Sequence, residues 1–243
     1  MQYWALSDPG VVREQNQDAY QVEQLDKNTL LCVVCDGMGG AKSGNVASSL
    51  AADVFTQEVK RTYTSDMSPE RLEQMLEAAV KLANFTVFDQ AQQFEEFSGM
   101  GTTLVALLVR GKEATIVNVG DSRGYMIGSN GINQVTVDHS VVQMMIARKE
   151  LTPEKARNYP GKHLITRALG TEAQVMCDMF HKKATKGTCF LLCSDGLSNM
   201  IDDQEILFEV TYGQDRAKCC ERLLDIAKKR GAPDNVTSVL VEI

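Results

Sequence analysis

The chain has 243 residues, 44% apolar and 23% charged, the balance of an ordinary soluble globular protein with enough material for a sizeable core. A formal net charge of −7 argues against a nucleic-acid partner, because backbone phosphates need a basic face. No run approaches the roughly 18 apolar residues that span a bilayer, and the N-terminus lacks the basic and apolar regions of a signal peptide. The expectation is a cytoplasmic protein without membrane insertion.

No Pro/Gly/Ser-rich stretch, charge block or repeat divides the sequence, so a single domain over 1–243 is expected. The 7 cysteines are an odd number, and Cys32, Cys35, Cys189 and Cys193 sit in apolar runs. They read as reduced structural thiols of a reducing compartment. Cys32 and Cys35 should face opposite sides of a strand, and Cys219-Cys220 should be half core, half surface.

Taken in chain order, apolar runs bounded by turns predict strands over 3–8, 19–23 and 30–35. Val46, Ala47, Leu50, Ala51, Val54 and Phe55 then recur at spacings of three and four, the stripe of an amphipathic helix. Ser68-Pro69, a cap residue followed by proline at the first helical position, opens a second helix. Its stripe runs Leu72, Met75, Leu76, Ala79, Val80, Ala83 and Val87. A meander of strands over 102–109, 114–119 and 124–127 follows, and Asn130-Gly131 turns the chain into 134–137. Residues 139–157 carry a helical pattern, with Thr152-Pro153 starting a second piece. Strands over 175–180 and 189–193, a helix over 215–230 ended by Gly231, and a strand over 236–243 complete the chain. Adjacent strands joined by tight turns pair antiparallel, and wholly apolar strands need burial on both faces. Two antiparallel sheets stacked face to face and flanked by helix pairs satisfy that need. The fold class is α+β, a four-layer α-β-β-α sandwich.

Six aspartates stand in short motifs at strand ends or turns: Asp18, Asp36, Asp121, Asp138, Asp195 and Asp234. A carboxylate at the mouth of a buried strand is costly unless something cationic meets it. Several of them with few histidines point to hard, oxygen-bound divalent ions. Gly37 after Asp36 and Gly196 after Asp195 would let the chain turn sharply and bring backbone close to an ion. Taken singly, Asp36-Gly37-Met38-Gly39-Gly40 is equally readable as an ordinary turn, and Asp195-Gly196 and Gly120-Asp121-Ser122-Arg123 are more often turns than sites. A Walker-type phosphate loop is excluded, because Ala41-Lys42-Ser43 stands where Gly-Lys-Ser is required.

Together and in this order the motifs are specific. Val12-Arg13-Glu14-Gln15-Asn16-Gln17-Asp18, Asp36-Gly37-Met38-Gly39-Gly40, Gly99-Met100-Gly101-Thr102-Thr103 and Asn118-Val119-Gly120-Asp121-Ser122-Arg123 make up the first half. Ile165-Thr166-Arg167-Ala168-Leu169-Gly170, Ser194-Asp195-Gly196-Leu197 and Asp234-Asn235-Val236-Thr237 make up the second. The whole set resembles the metal-dependent protein phosphatase family of type 2C, above all its bacterial Ser/Thr branch.

The resemblance implies a serine/threonine protein phosphatase with a two-metal centre at one edge of the sandwich. Its cofactor would be Mn²⁺ or Mg²⁺, two core ions with a third, weaker one. By motif, Asp36 would bridge both core ions and Gly37 would lend its carbonyl to one. Asp195 and Asp234 would ligate the other, and Asp18 would act mainly through metal-bound waters. Asp121 with Asp195 would form the third site, and Asn235 would support Asp234. Arg13, five residues before Asp18, would hold the substrate phosphate with its fork of donors. A bridging water of lowered pKa would attack the phosphoester in line. The implied catalytic set is therefore Arg13, Asp18, Asp36, Asp195 and Asp234, with no task for a cysteine. Implied partners are phosphorylated proteins, a Ser/Thr kinase and its targets, met by a monomer.

The sequence departs from the family at three positions. Met38 follows the Asp-Gly pair where many animal members carry His, and Ala41 follows the Gly-Gly pair where some bacterial members do. No obvious general acid is left near Asp36, so a water on the third ion or bulk solvent would protonate the leaving alkoxide. Asn199 replaces a further acidic residue and weakens the third site. Asp8 is expected to stand behind the ligands or to be structural, Asp138 to cap the following helix ahead of reaching the active site, and His139 to be structural or capping ahead of serving as an acid. His163 and His181 are expected at the surface. Residues of about 140–170 correspond to a mobile flap in relatives, here with Arg148, Lys149, Lys155, Arg157 and Lys162 against Glu150 and Glu154. Two other functions stay open on sequence: a phosphatase of a regulatory partner or small phosphomonoester, and a silent metal-binding regulatory module. The module would be expected to lose a core carboxylate, and none is lost.

Overall fold

Alternation along one strand decides the architecture. In the computed structural model, which describes residues 1–39, 43–156 and 159–243, a strand over Thr29–Met38 is buried on both faces. Leu31, Val33 and Cys35 enter an apolar cluster with helical residues, whereas Leu30, Cys32 and Val34 enter a cluster between two sheets. The strand over Cys189–Cys193 divides the same way, with Cys189, Leu191 and Cys193 toward helices and Phe190 and Leu192 toward the other sheet.

In chain order the strands are β1 (Gln2–Asp8), β2 (Asp18–Asp26), β3 (Thr29–Met38), β4 (Gly101–Thr102), β5 (Leu104–Arg110) and β6 (Glu113–Val119). They continue with β7 (Arg123–Gly128), β8 (Gly131–Gln134), β9 (Asp178–Lys183), β10 (Cys189–Cys193) and β11 (Val236–Glu242). One antiparallel sheet runs β2-β3-β5-β6-β9, with β4 pairing the end of β3. The other runs β1-β11-β10-β7-β8. Helices α1 (Gly44–Thr62) and α2 (Pro69–Gln93) cover the first sheet, and Phe55, Leu76, Ala79 and Val87 seal that layer. The short helices α3 (Val141–Ala147), α4 (Pro153–Ala156) and α5 (Asp195–Ser198) lie in connections. Helices α6 (Asp203–Tyr212) and α7 (Cys219–Lys229) cover the second sheet through Ile206, Val210, Leu223 and Ala227. This is the expected four-layer sandwich.

Several local expectations shift. β8 lies at 131–134, ahead of the expected 134–137, because beyond Gln134 the chain peels off to place Asp138 against Arg123. β9 begins at Asp178, since Asn84 Nδ2 holds the Glu172 and Ala173 carbonyls against α2 and keeps 172–177 out of the sheet. The helical pattern over 139–157 resolves into α3 and α4, and Ser140, not Asp138, caps α3 by accepting from Gln143 N–H at 3.2 Å. Cys219 and Cys220 are both buried, because a turn of 3-10 helix at Arg216–Lys218 starts α7 deep under the sheet. Helix α6 was not expected: it buries little beyond Ile206 and Val210 and leaves Phe208 and Tyr212 exposed. Its one sequence signal is the reciprocal cap between Asp202 and Glu205.

Candidate metal centre

Both sheets bring strand ends to one edge, and the aspartates gather there. Asp18 opens β2 and is the register partner of Asp36 on β3. Asp121 follows β6, Asp195 opens α5 directly after β10, and Asp234 precedes β11. Arg13, Asp36, Gly37, Asp121, Asp195 and Asp234 line one cleft of about 740 Å³. Asp18 is buried beside Asp36, at 9% exposure.

The Asp36 peptide is fixed on both sides. Its N–H donates to Thr103 Oγ1 at 2.9 Å, and its carbonyl accepts from Thr103 N–H and Thr102 Oγ1, each at 2.9 Å. Gly37 N–H donates to the Gln17 carbonyl at 3.0 Å. A Cβ on Gly37 would stand 2.0 Å from Gly44 O, and one on Gly196 2.0 Å from Asn235 O. Neither glycine has a left-handed φ. The Asp-Gly pairs are therefore required by close backbone packing and not by the sharp turn that the sequence suggested.

The carboxyls repel one another. Burial, then the charges of Asp18, Asp195, Asp121 and Asp234, push Asp36 well above the ordinary carboxylate range. Burial raises Asp18 to about 7, against hydrogen bonds from Ser194 and Thr237 and with help from Asp195 and Asp234. Asp121 reaches about 7 through burial and the charges of Asp195 and Asp138. Asp18 Oδ2 accepts from Ser194 Oγ at 2.7 Å, while its Oδ1 is buried without a partner among the described residues. An orphaned oxygen among mutually repelling hard donors fits a divalent cation such as Mg²⁺ or Mn²⁺. Among the described residues no three His, Cys, Asp or Glu side chains close around one point. Each ion would thus take one or two carboxylates and complete its shell with water, the habit of Mg²⁺.

Arg13 Nη2 donates to Asp234 Oδ2 at 2.9 Å, with both side chains about half exposed at the cleft. Asn235 pins the loop that carries Arg13: its Nδ2 donates to Pro9 O and Gln15 O, and its Oδ1 accepts from Gln17 N–H. Its backbone N–H also donates to Asp234 Oδ1 at 2.9 Å. Asn199 Nδ2 donates to Asp195 Oδ2 at 3.0 Å, so it steadies that carboxylate. Asp8 pairs with Lys228 at 3.0 Å, the structural one of its two readings. Asp138 accepts a forked contact from Arg123 and lies outside the described cleft lining.

His181 sits at the surface against Glu73. His163 is also exposed but stands at the cleft, its Nδ1 3.7 Å from Asp195 Oδ2, and the neighbouring Asp195 carboxylate lifts its pKa. Nothing local to 163 in the sequence signals that position. Ser194 supports the Asp18 carboxylate and Thr103 the Asp36 backbone without having been singled out, although both stand inside motifs that were. Met38 lines the cleft. Gly40, Ala41 and Arg157 lie outside the described residues.

Known proteins resemble this chain over nearly its whole length. A family model described as Protein phosphatase 2C matches residues 12–240. The chain is 35% identical over 236 residues to the serine/threonine phosphatase stp of Listeria welshimeri, covering 97% of this chain and 93% of that one. Serine/threonine phosphatase Stp1 from Staphylococcus aureus superposes with a TM-score of 0.92 at 35% identity, over 99% of this chain and 94% of that one. The catalytic domain of the serine/threonine protein phosphatase PstP, solved in complex with 2 manganese ions, superposes with a TM-score of 0.85 at 34% identity. That match covers 99% of this chain and 97% of that one.

Proposed function

This chain belongs to the protein phosphatase 2C family, and on that premise we propose that its cleft removes phosphate from phosphoserine and phosphothreonine in protein substrates. It is a metal-dependent serine/threonine protein phosphatase, and its cofactor is Mn²⁺ or Mg²⁺. In our reading Asp18, Asp36, the Gly37 carbonyl, Asp121, Asp195 and Asp234 hold two core ions and a third, weaker one. The observation that carries this reading is the meeting of Asp36, Asp121, Asp195 and Asp234 with Arg13 around one cleft, with Asp18 Oδ1 buried behind them and unpartnered among the described residues. When bound, divalent ions supply Lewis acidity to the phosphoryl oxygens and make the attacking water more acidic.

The chain's own residues supply positioning. The clamped Asp36 peptide and the Ser194 contact to Asp18 hold both carboxylates in place before substrate arrives, so little reorganisation accompanies the reaction. Arg13 keeps Nη2 on Asp234 and has its remaining donors free to fork onto a phosphate. Asn199 and Ser194 orient carboxylates and carry no proton in this scheme. The natural partners under this reading are phosphoproteins made by a Ser/Thr kinase, met by a monomer of one domain. All 7 cysteines are free, which suits a reducing cytoplasm. Among the described residues no helix is long and apolar enough to cross a membrane.

The test is hydrolysis of phosphoserine and phosphothreonine peptides beside p-nitrophenyl phosphate, with Mn²⁺ and with chelator. Activity should need the ion, and Asp36→Ala or Asp195→Ala should abolish turnover while the far-UV spectrum stays native. Near-normal Mn²⁺-dependent turnover by Asp36→Ala would remove Asp36 from the centre.

A further inference from the structure

Two motifs, Asp138-His139-Ser140 and Ile165-Thr166-Arg167-Ala168-Leu169-Gly170, take no part in the chemistry above, yet the fold ties them to it. His139 is only 8% exposed. Its ring Nδ1 accepts the Gly120 N–H at 3.0 Å, and its backbone N–H donates to the Gly120 carbonyl at 2.9 Å. One residue thus grips both polar groups of the glycine before Asp121. With Nδ1 accepting, the ring proton belongs on Nε2, which lies 3.3 Å from Asp178 Oδ2. Arg167 Nη1 donates to Asp178 Oδ1 at 2.8 Å and stands 3.1 Å from Nε2. Burial and the Arg167 charge hold the imidazole neutral by lowering its pKa. Thr166 N–H completes the link by donating to the His139 carbonyl at 2.8 Å.

The turn has little freedom of its own. Gly120 has φ +107°, and a Cβ there would meet Thr103 Cγ2 at 2.6 Å. The position of the Asp121 peptide therefore depends on what holds Gly120. We propose that His139 is a positioning residue: oriented by Asp178 and Arg167, it fastens the Gly120-Asp121 turn to the segment at 165–170 and so sets where the Asp121 carboxylate stands. The metal consequence rests on the reading that Asp121 faces an ion, whereas the positioning does not.

The experiment uses the full chain stripped with EDTA and then titrated with MnCl₂. Protection of the Gly120 amide against hydrogen exchange in the metal-free protein reports the turn. Free Mn²⁺ followed by electron paramagnetic resonance reports the weakest binding event. His139→Ala should lose Gly120 protection and weaken that event about tenfold, the scale seen when a partner behind a ligand is removed. His139→Asn, whose side-chain oxygen can occupy the place of Nδ1, should restore most of both losses. Asp178→Ala should give a smaller loss of the same kind, and the surface variant His181→Ala none. Nitrogen-15 shifts of the wild-type ring should show the neutral, Nε2-protonated form.

Unchanged Gly120 protection in His139→Ala, or His139→Asn behaving no better than Ala, would overturn the proposal. If His139→Ala does not fold, the wild-type tautomer decides, and an Nδ1-protonated ring overturns it equally. If Gly120 protection follows the expected series but wild type shows no third Mn²⁺ event, the positioning stands and the reading of Asp121 as an ion ligand falls.

Discussion

Arg13 is the residue whose two roles separate most cleanly. It already touches Asp234, so deleting it removes a neighbour of a carboxylate as well as a phosphate contact. Loss of a charged, forked contact costs about 1.5–3 kcal/mol. Arg13→Ala should therefore raise KM for phosphopeptides far more than it lowers kcat, provided the contact is equally strong in ground and transition states. Arg13→Lys should recover the charge but not the fork, and its kcat/KM should fall between the two. Equal kcat/KM for all three proteins in steady-state assays would take Arg13 out of the site. Gly37 makes a different prediction, about packing alone. Its missing Cβ would collide with the Gly44 carbonyl at 2.0 Å, and forced overpacking costs about 1–3 kcal/mol. Gly37→Ala should lower the unfolding free energy measured by urea denaturation by that amount even in chelator, where no ion is there to lose. That Asp36 and Asp195 stand at the ends of buried strands was legible, because each closely follows an apolar run and precedes glycine. That His163 stands beside Asp195 was not, because it carries no local pattern.

At the level of elements, the hairpin of β7 and β8 is fastened to the segment that leads into α3. Arg123 Nε and Nη2 reach both oxygens of Asp138 at 2.7–3.1 Å, and Gln134 Nε2 reaches Asp138 Oδ1 at 2.8 Å. Both charged side chains are largely buried, at 27% and 13% exposure. Removing one partner strands the other in a poorly solvated place, which costs about 3 kcal/mol or more. Asp138→Ala should unfold at clearly lower urea, while Arg123→Leu combined with Asp138→Leu should regain most of the loss. An Asp138→Ala chain as stable as wild type would show that water reaches Arg123. The sequence marked Asp138 as a helix cap because it stands just before a helical pattern. Ser140 takes that job, since its backbone is extended and its hydroxyl reaches Gln143 N–H, and this frees Asp138 for the long-range pair.

For the molecule as a whole, the carboxylate cluster makes stability depend on pH and on metal together. Asp18 and Asp121 rise from an ordinary 3.8 to about 7 on folding without an ion. The folded metal-free chain then binds more protons than the unfolded chain from about pH 4 to 7, so its stability falls as pH rises through that window. The sign is opposite to that of a salt-bridged aspartate. Melting of the chelated protein should occur at higher temperature at pH 5 than at pH 8. Mn²⁺ should close that gap and release protons into a weak buffer as it displaces them. Asp18→Asn should flatten the pH dependence in chelator. A metal-free melting temperature that climbs from pH 5 to 8 would contradict the cluster's electrostatics.

By itself the sequence determined the layers. Strands apolar on every residue can be buried on two faces in few ways, and helices with one apolar stripe must lie on the outer faces. It also marked the carboxylates, since an aspartate closing a buried strand has few physical explanations other than a cation. Only the tertiary structure decided which polar residues meet. Arg13 and Asp234 are 221 positions apart and pair because β1 and β11 lie side by side in one sheet. His139 reaches Gly120 because the chain after β8 folds back across the end of β6. Such contacts follow from how the strands are ordered across the sheets, and local hydrophobic period, which reports only how each element faces the core, carries no information about that order.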